Sequence, residues 1–176
     1  ENITITNCVL HSRDSALKIG TETHGTIRNV TLSDCIIDRC SRAVGIWVRD
    51  GGTVEDIHIH HLTGSTCAMQ TAMPSRVHRA GGGKGEPIFI SATPRKNSRT
   101  KTGTIRNVTF DNLSITCESC AFLAGEPESC LRDIRIRGPA HDFKRQGTQP
   151  GACLMNSHRC GMCTSHAIPA LYDPPV

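Results

Sequence analysis

The chain has 176 residues, with 20 basic and 16 acidic side chains, 10 cysteines, 16 glycines and a hydrophobic content of 37%; this length suits one domain, and the apolar content argues against a disordered tail. No apolar run approaches the ~20 residues that a membrane-spanning helix needs, so no membrane role is expected. A net charge of +4 spread along the chain, with 3% aromatics to stack on bases, argues against nucleic acid.

A repeat organises the rest. Taken in chain order, its starts are Asn2-Ile-Thr-Ile-Thr-Asn-Cys8, Asn29-Val-Thr-Leu-Ser-Asp-Cys35, Asp56-Ile-His-Ile-His-His-Leu62, Asn107-Val-Thr-Phe-Asp-Asn-Leu113 and Asp133-Ile-Arg-Ile-Arg137, which lie 27, 27, 51 and 26 residues apart. Apolar residues alternate with polar ones inside each unit, as in Ile3/Ile5, Val30/Leu32, Ile57/Ile59, Val108/Phe110 and Ile134/Ile136, which is the period of strands buried on one face. A second apolar strand follows at Leu17, Val44, Ile88 and Phe122, and the long gap is one unit carrying two extra loops.

Short strands, a fixed period, glycines at the corners and no helical stretch predict an all-β fold, a right-handed single-stranded parallel β-helix of about five coils. A β-sandwich explains strands but not the aligned Asn/Asp at each start. Cys8, Cys35, Leu62 and Leu113 should share one inward column. Asn7, Asp34, His61 and Asn112 share the position before it, where an amide ladder can satisfy turn backbone groups. The expected organisation is β-helix coils over residues 1–137, with an insertion at 65–84, then an irregular Cys/His tail over 138–176 that enters a further, truncated coil.

Three segments carry a resemblance. Ile19-Gly-Thr-Glu-Thr-His-Gly-Thr-Ile-Arg-Asn-Val-Thr31, Ser41-Arg-Ala-Val-Gly-Ile-Trp47 and Gly85-Glu-Pro-Ile-Phe-Ile-Ser91 resemble stretches of family 28 glycoside hydrolases, the polygalacturonase-like β-helix enzymes. The likeness runs over about residues 1–137. It implies an enzyme, secreted or periplasmic and monomeric at full length, that cleaves glycosidic bonds in pectin-like or related polysaccharide without cofactor or metal. Inverting members need two carboxyl groups about 6.5–9.5 Å apart. The family's N-T-D segment does not occur in this chain. In one register its G-H-G histidine falls on Ser15 and its R-I-K on Gly45-Ile46-Trp47. In another, Arg13-Asp14 matches its aspartate pair, with Lys18 close to the lysine that follows, which makes Asp14 the one candidate catalytic carboxylate. The chain is therefore expected to be a segment of a longer enzyme, inactive in isolation; a noncatalytic β-helix that binds glycans or builds a surface structure is the alternative.

Parity places Asp14, Lys18, Gly20 and Glu22, then Gly45, Trp47 and Arg49, then Phe89, Ser91 and Thr93 on the outer face of the second strands. Lys18, Glu22, Trp47, Arg49 and Phe89 are the expected floor for an oligo- or polysaccharide partner: an aromatic platform beside a few convergent polar groups. The alternatives are a packing role for Trp47 under the insertion and a plain surface ion pair for Glu22 with Arg49. Arg76, His78, Arg79 and Lys84 make the insertion basic, suited to an acidic sugar or simply to solvent.

The cysteines leave choices open. Cys8 with Cys35, and Cys40 with Cys67, recur at 27 residues and suit either a bridge or a small apolar column. In the tail, His158-x-Cys160-x-x-Cys163-x-x-His166, with Cys153 nearby, suits structural zinc or, without the second separated pair of known fingers, disulfides or free thiols.

Overall fold

The structure is a computed structural model, and it describes residues 1–68, 83–94, 101–126, 131–138 and 143–145. Within these, twelve strands follow one another: β1 (Ile3–Thr6), β2 (Val9–Leu10), β3 (Ser15–Ile19), β4 (Thr26–Ser33), β5 (Ile36–Cys40), β6 (Arg42–Trp47), β7 (Thr53–Thr66), β8 (Glu86–Ala92), β9 (Thr104–Cys117), β10 (Phe122–Gly125), β11 (Leu131–Arg137) and β12 (Phe143–Arg145). No helix occurs among the described residues, so none there is long and apolar enough to cross a membrane. The fold is all-β, and every pairing between named strands is parallel.

The larger sheet has two strips. Ile3 pairs with Val30, Val30 with Ile57, Ile57 with Val108, and Val108 with Ile134. These are the expected partners, and the long gap is crossed with Val54 on Ile105 and Leu62 on Leu113. In the second strip β2, β5 and the later halves of β7 and β9 lie side by side, with β12 on β9. The smaller sheet runs β3, β6, β8, β10.

Asparagine and aspartate mark the turns. Asn2, Asn29, Asp56, Asn107 and Asp133 all have positive φ between 50° and 65°. So do Asn7, Asp34, His61 and Asn112, at 51° to 55°, between the two strips. A Cβ makes this left-handed region costly, and short side chains that bond locally tolerate it best. The amides then stack: Asn29 Nδ2 donates to Asn2 Oδ1 at 2.7 Å, and Asn107 Nδ2 to Asp56 Oδ1 at 2.7 Å.

One hydrophobic cluster draws on both sheets, with Val30, Leu32, Ile57, Ile59, Val108 and Phe110 from the larger and Val44, Ile46, Ile88 and Ile90 from the smaller. Full burial of such a side chain contributes about 1.5–3 kcal/mol, and stacking like on like supplies it without a helix. Ile3 departs from the expected inward burial, being 46% exposed, because β1 is an edge strand with a neighbour on one side only.

Phe122 is displaced by one residue from its expected column. It pairs with Phe89, not Ile88, and its ring stacks on Phe89 with centroids 4.6 Å apart. The outer stack thereby gains a ring, while the core beneath takes the small Ala121 and then Leu123.

Candidate functional site

The smaller sheet sets the site. Its register carries Lys18 onto Gly45 and Gly45 onto Phe89, while Ser15 lies beside Arg42 and Arg42 beside Glu86. Trp47 is two residues beyond Gly45, on the same face of β6. Because Gly45 has no side chain, the indole folds back over it: a Cβ there would collide with Trp47 Cζ3 and stand 2.7 Å from Ser15 Oγ. The space that Gly45 leaves between Lys18 and Phe89 is therefore filled by the neighbouring tryptophan. Trp47 is 8% exposed and stacks on Phe89 at 5.0 Å, extending a ladder of three rings through Phe122.

Charges close over this ladder. The Arg42 guanidinium carbon lies 5.2 Å from the Trp47 ring centre and 4.8 Å from that of Phe89, and Lys18 Nζ lies 5.3 Å from Trp47, within the range of cation–π attraction. Arg42 Nη1 stands 3.0 Å from Asp14 Oδ1 and its Nε 3.4 Å from Glu86 Oε2. Lys18 Nζ donates to Asp14 Oδ2 at 2.6 Å, so both oxygens of Asp14 are engaged by cations. The Lys84 backbone N–H donates to Glu86 Oε2 at 2.7 Å.

Two carboxylates thus share one guanidinium. Their facing oxygens lie no more than about 9 Å apart, the reach of one Arg fork with a contact at each side. An inverting pair leaves room between its carboxyl groups for a water, whereas here Arg42, 7% exposed at its side chain, occupies the space between them. The arrangement presents polar groups to a ligand at its rim, through Asp14 and Lys18 with 39% and 43% side-chain exposure, and keeps Glu86 and Arg42 inside.

Of the residues expected from sequence, Asp14, Lys18, Trp47 and Phe89 converge. Glu22 is exposed and lines an open depression with Gly20, Thr21, Thr23 and Ile27. Arg49 follows the end of β6, half-buried, with its Nε buried and without a hydrogen-bond partner among the described residues. Ser91 Oγ and Thr93 Oγ1 share a hydrogen bond at 3.0 Å. Arg42, Glu86 and Phe122 were not anticipated. Aligning Val44 with Ile88 already sets Arg42 opposite Glu86 two residues back, a complementary pair readable from the repeat alone.

Cys8, Cys35, Cys40 and Cys67 carry no disulfide. Cys8 N–H donates to Cys35 Sγ at 3.4 Å, and burial pushes the Cys35 and Cys40 thiols up. Arg76, His78 and Arg79 of the insertion, Cys130, and the tail with Cys153, His158, Cys160, Cys163 and His166 lie outside the described residues. Among the described residues one group of three metal-type side chains comes together, Asp34, His60 and His61, and it belongs to the larger sheet. No protein-family model, curated protein or solved structure matches the chain.

Proposed function

We propose that this chain is a segment of a polysaccharide-acting glycoside hydrolase of polygalacturonase type, secreted or periplasmic, and that the outer face of its smaller sheet holds saccharide. The two parallel sheets would be walls of a right-handed β-helix of about five coils, the architecture its repeat resembles. The observation that carries the reading is the cluster of Asp14, Lys18, Arg42 and Glu86 against the Trp47–Phe89–Phe122 stack. Charged hydrogen-bonding groups beside aromatic rings are what a saccharide site offers.

A second reading, a noncatalytic glycan-binding or structural β-helix, is favoured by Arg42. A hydrolytic pair must leave room for the scissile bond and a water, and here a buried guanidinium fills that room. In the first reading the hydrolytic pair is supplied by coils outside this segment, and the residues named above position the sugar.

Calorimetric titration with oligogalacturonate and with neutral oligosaccharides, beside a reducing-end assay on polygalacturonate, tests this. The expected result is saccharide binding without bond cleavage, weakened up to about tenfold by Phe89→Ala, the value of one aromatic contact at the half-buried ring of the stack, and also weakened by Lys18→Gln, which alters an exposed side chain. Release of reducing ends that Asp14→Asn abolishes would move hydrolysis into this chain. Binding of no oligosaccharide at all would remove the glycan reading.

A further inference from the structure

His60 and His61 are consecutive residues of β7, and consecutive side chains of an extended strand point to opposite faces. Their Nδ1 atoms nevertheless lie 3.0 Å apart, with the rings edge to face at 5.0 Å. The cause is the left-handed backbone of His61, φ 53°, which turns its ring back toward that of His60. Asp34 occupies the same turn position on the neighbouring coil, with φ 52°, held there by the pairing of Ser33 with His60. Its Oδ1 lies 3.6 Å from His61 Nδ1. One donor atom from each of the three residues falls within 4.8 Å of the other two.

Two imidazole nitrogens that face each other at 3.0 Å share either a proton or a cation. Nitrogen ligands about 2.0–2.1 Å from a tetrahedral zinc stand about 3.3 Å from each other, and the observed 3.0 Å and 3.6 Å bracket that spacing. Rotation of the exposed Asp34 side chain shortens the remaining edge. Asn112, next in the turn column, has Nδ2 3.3 Å from His61 Nε2. Turning its amide over presents Oδ1 to an Nε2–H, which leaves Nδ1 bare for a metal and fixes the ring, as an outer partner of a ligating histidine does. About half of the side-chain surface of Asp34 and His61 is exposed, at 51% and 55%, so water completes the shell.

We propose that Asp34, His60 and His61 bind one divalent transition-metal ion of the zinc, nickel or copper class, to which two imidazoles and one carboxylate are suited. This site is independent of the saccharide reading, on a different sheet.

The test is zinc titration of the full chain by calorimetry, with cobalt absorption to report the ligand type. His61→Asn and Asp34→Asn keep side chains that tolerate the left-handed turn, and His60→Gln keeps a polar strand residue. The wild type should bind one equivalent more than the His60→Gln/His61→Asn double variant, and that cobalt equivalent should lack the thiolate charge-transfer band that the cysteines of the tail would produce. Asp34→Asn should weaken it by at least about tenfold, the lower end for losing a supporting partner. Zinc should also protect His60 and His61 of the wild-type chain from acylation by diethyl pyrocarbonate, mapped by mass spectrometry, a readout that needs no variant. Equal stoichiometry and affinity in wild type and double variant, or acylation of both histidines at an unchanged rate in saturating zinc, would overturn the proposal.

Discussion

Trp47 lies over Gly45 of its own strand, and the indole occupies the volume that any side chain at position 45 would need. Gly45→Ala must push the ring off Phe89 or shift Ser15, whose Oγ would stand 2.7 Å from the new Cβ. Overpacking of this kind costs about 1–3 kcal/mol. The expected outcome is a lower denaturation midpoint together with a red-shifted emission, since Trp47 is the one tryptophan of the chain. An unshifted spectrum at unchanged stability would mean that the ring does not sit there.

Arg42 serves two carboxylates unequally. Glu86 is 8% exposed at its side chain and Asp14 39%. Arg42→Met should therefore destabilise by about 3–5 kcal/mol, because it strands a buried charge. Asp14→Asn should cost about 1 kcal/mol or less, as an exposed pair does. Adding Glu86→Gln to Arg42→Met should recover part of the loss. Urea denaturation of the three variants beside the wild type measures this, and equal losses for Asp14→Asn and Arg42→Met would contradict the burial difference.

The pairing of Ile3, Val30, Ile57, Val108 and Ile134 was legible because parallel strands stacked at a fixed period write their register directly into sequence spacing, and the two extra loops only stretched one interval. The outer face of the smaller sheet was half legible. Parity found Lys18, Trp47 and Phe89, yet it counted Arg42 and Glu86 with the inward Val44 and Ile88. A long guanidinium can reach past its own strand to the rings of Trp47 and Phe89, and alternation says nothing about reach. Phe122 was misplaced for a related reason: apolarity alone cannot tell a core column from an outer aromatic stack. The alignment of His61 with Asp34 was visible, but its meeting with His60 depends on a backbone angle that the sequence does not display.

Asn107 has φ 50°, donates to Asp56 Oδ1 at 2.7 Å and accepts from Arg135 Nη1 at 3.2 Å. Alanine there loses the hydrogen bonds and meets the left-handed penalty of about 1–2 kcal/mol, so a total near 2–3 kcal/mol is expected with about 1 kcal/mol from the bonds. Glycine loses the bonds alone, so Asn107→Gly should cost less than Asn107→Ala. This reverses the usual order of the two residues inside a strand. Thermal denaturation of the pair decides it, and alanine proving the milder change would show that residue 107 is not left-handed.

Cys35 and Cys40 are 1% and 0% exposed, and burial pushes both thiols up from their ordinary range. The unfolded chain releases these protons near pH ~8.5, whereas the folded chain keeps them to higher pH. Their contribution to stability is therefore fully present below the unfolded value and is lost as pH rises through the folded one. The urea midpoint should fall as pH rises above about 8.5, and Cys35→Ala/Cys40→Ala should flatten that fall while lowering stability at neutral pH through the cavities left behind. Because thiolate is the reacting species, both cysteines should also react with a disulfide reagent far more slowly in the folded chain than in urea. A midpoint equally pH-dependent in wild type and double variant would assign the alkaline loss to other groups.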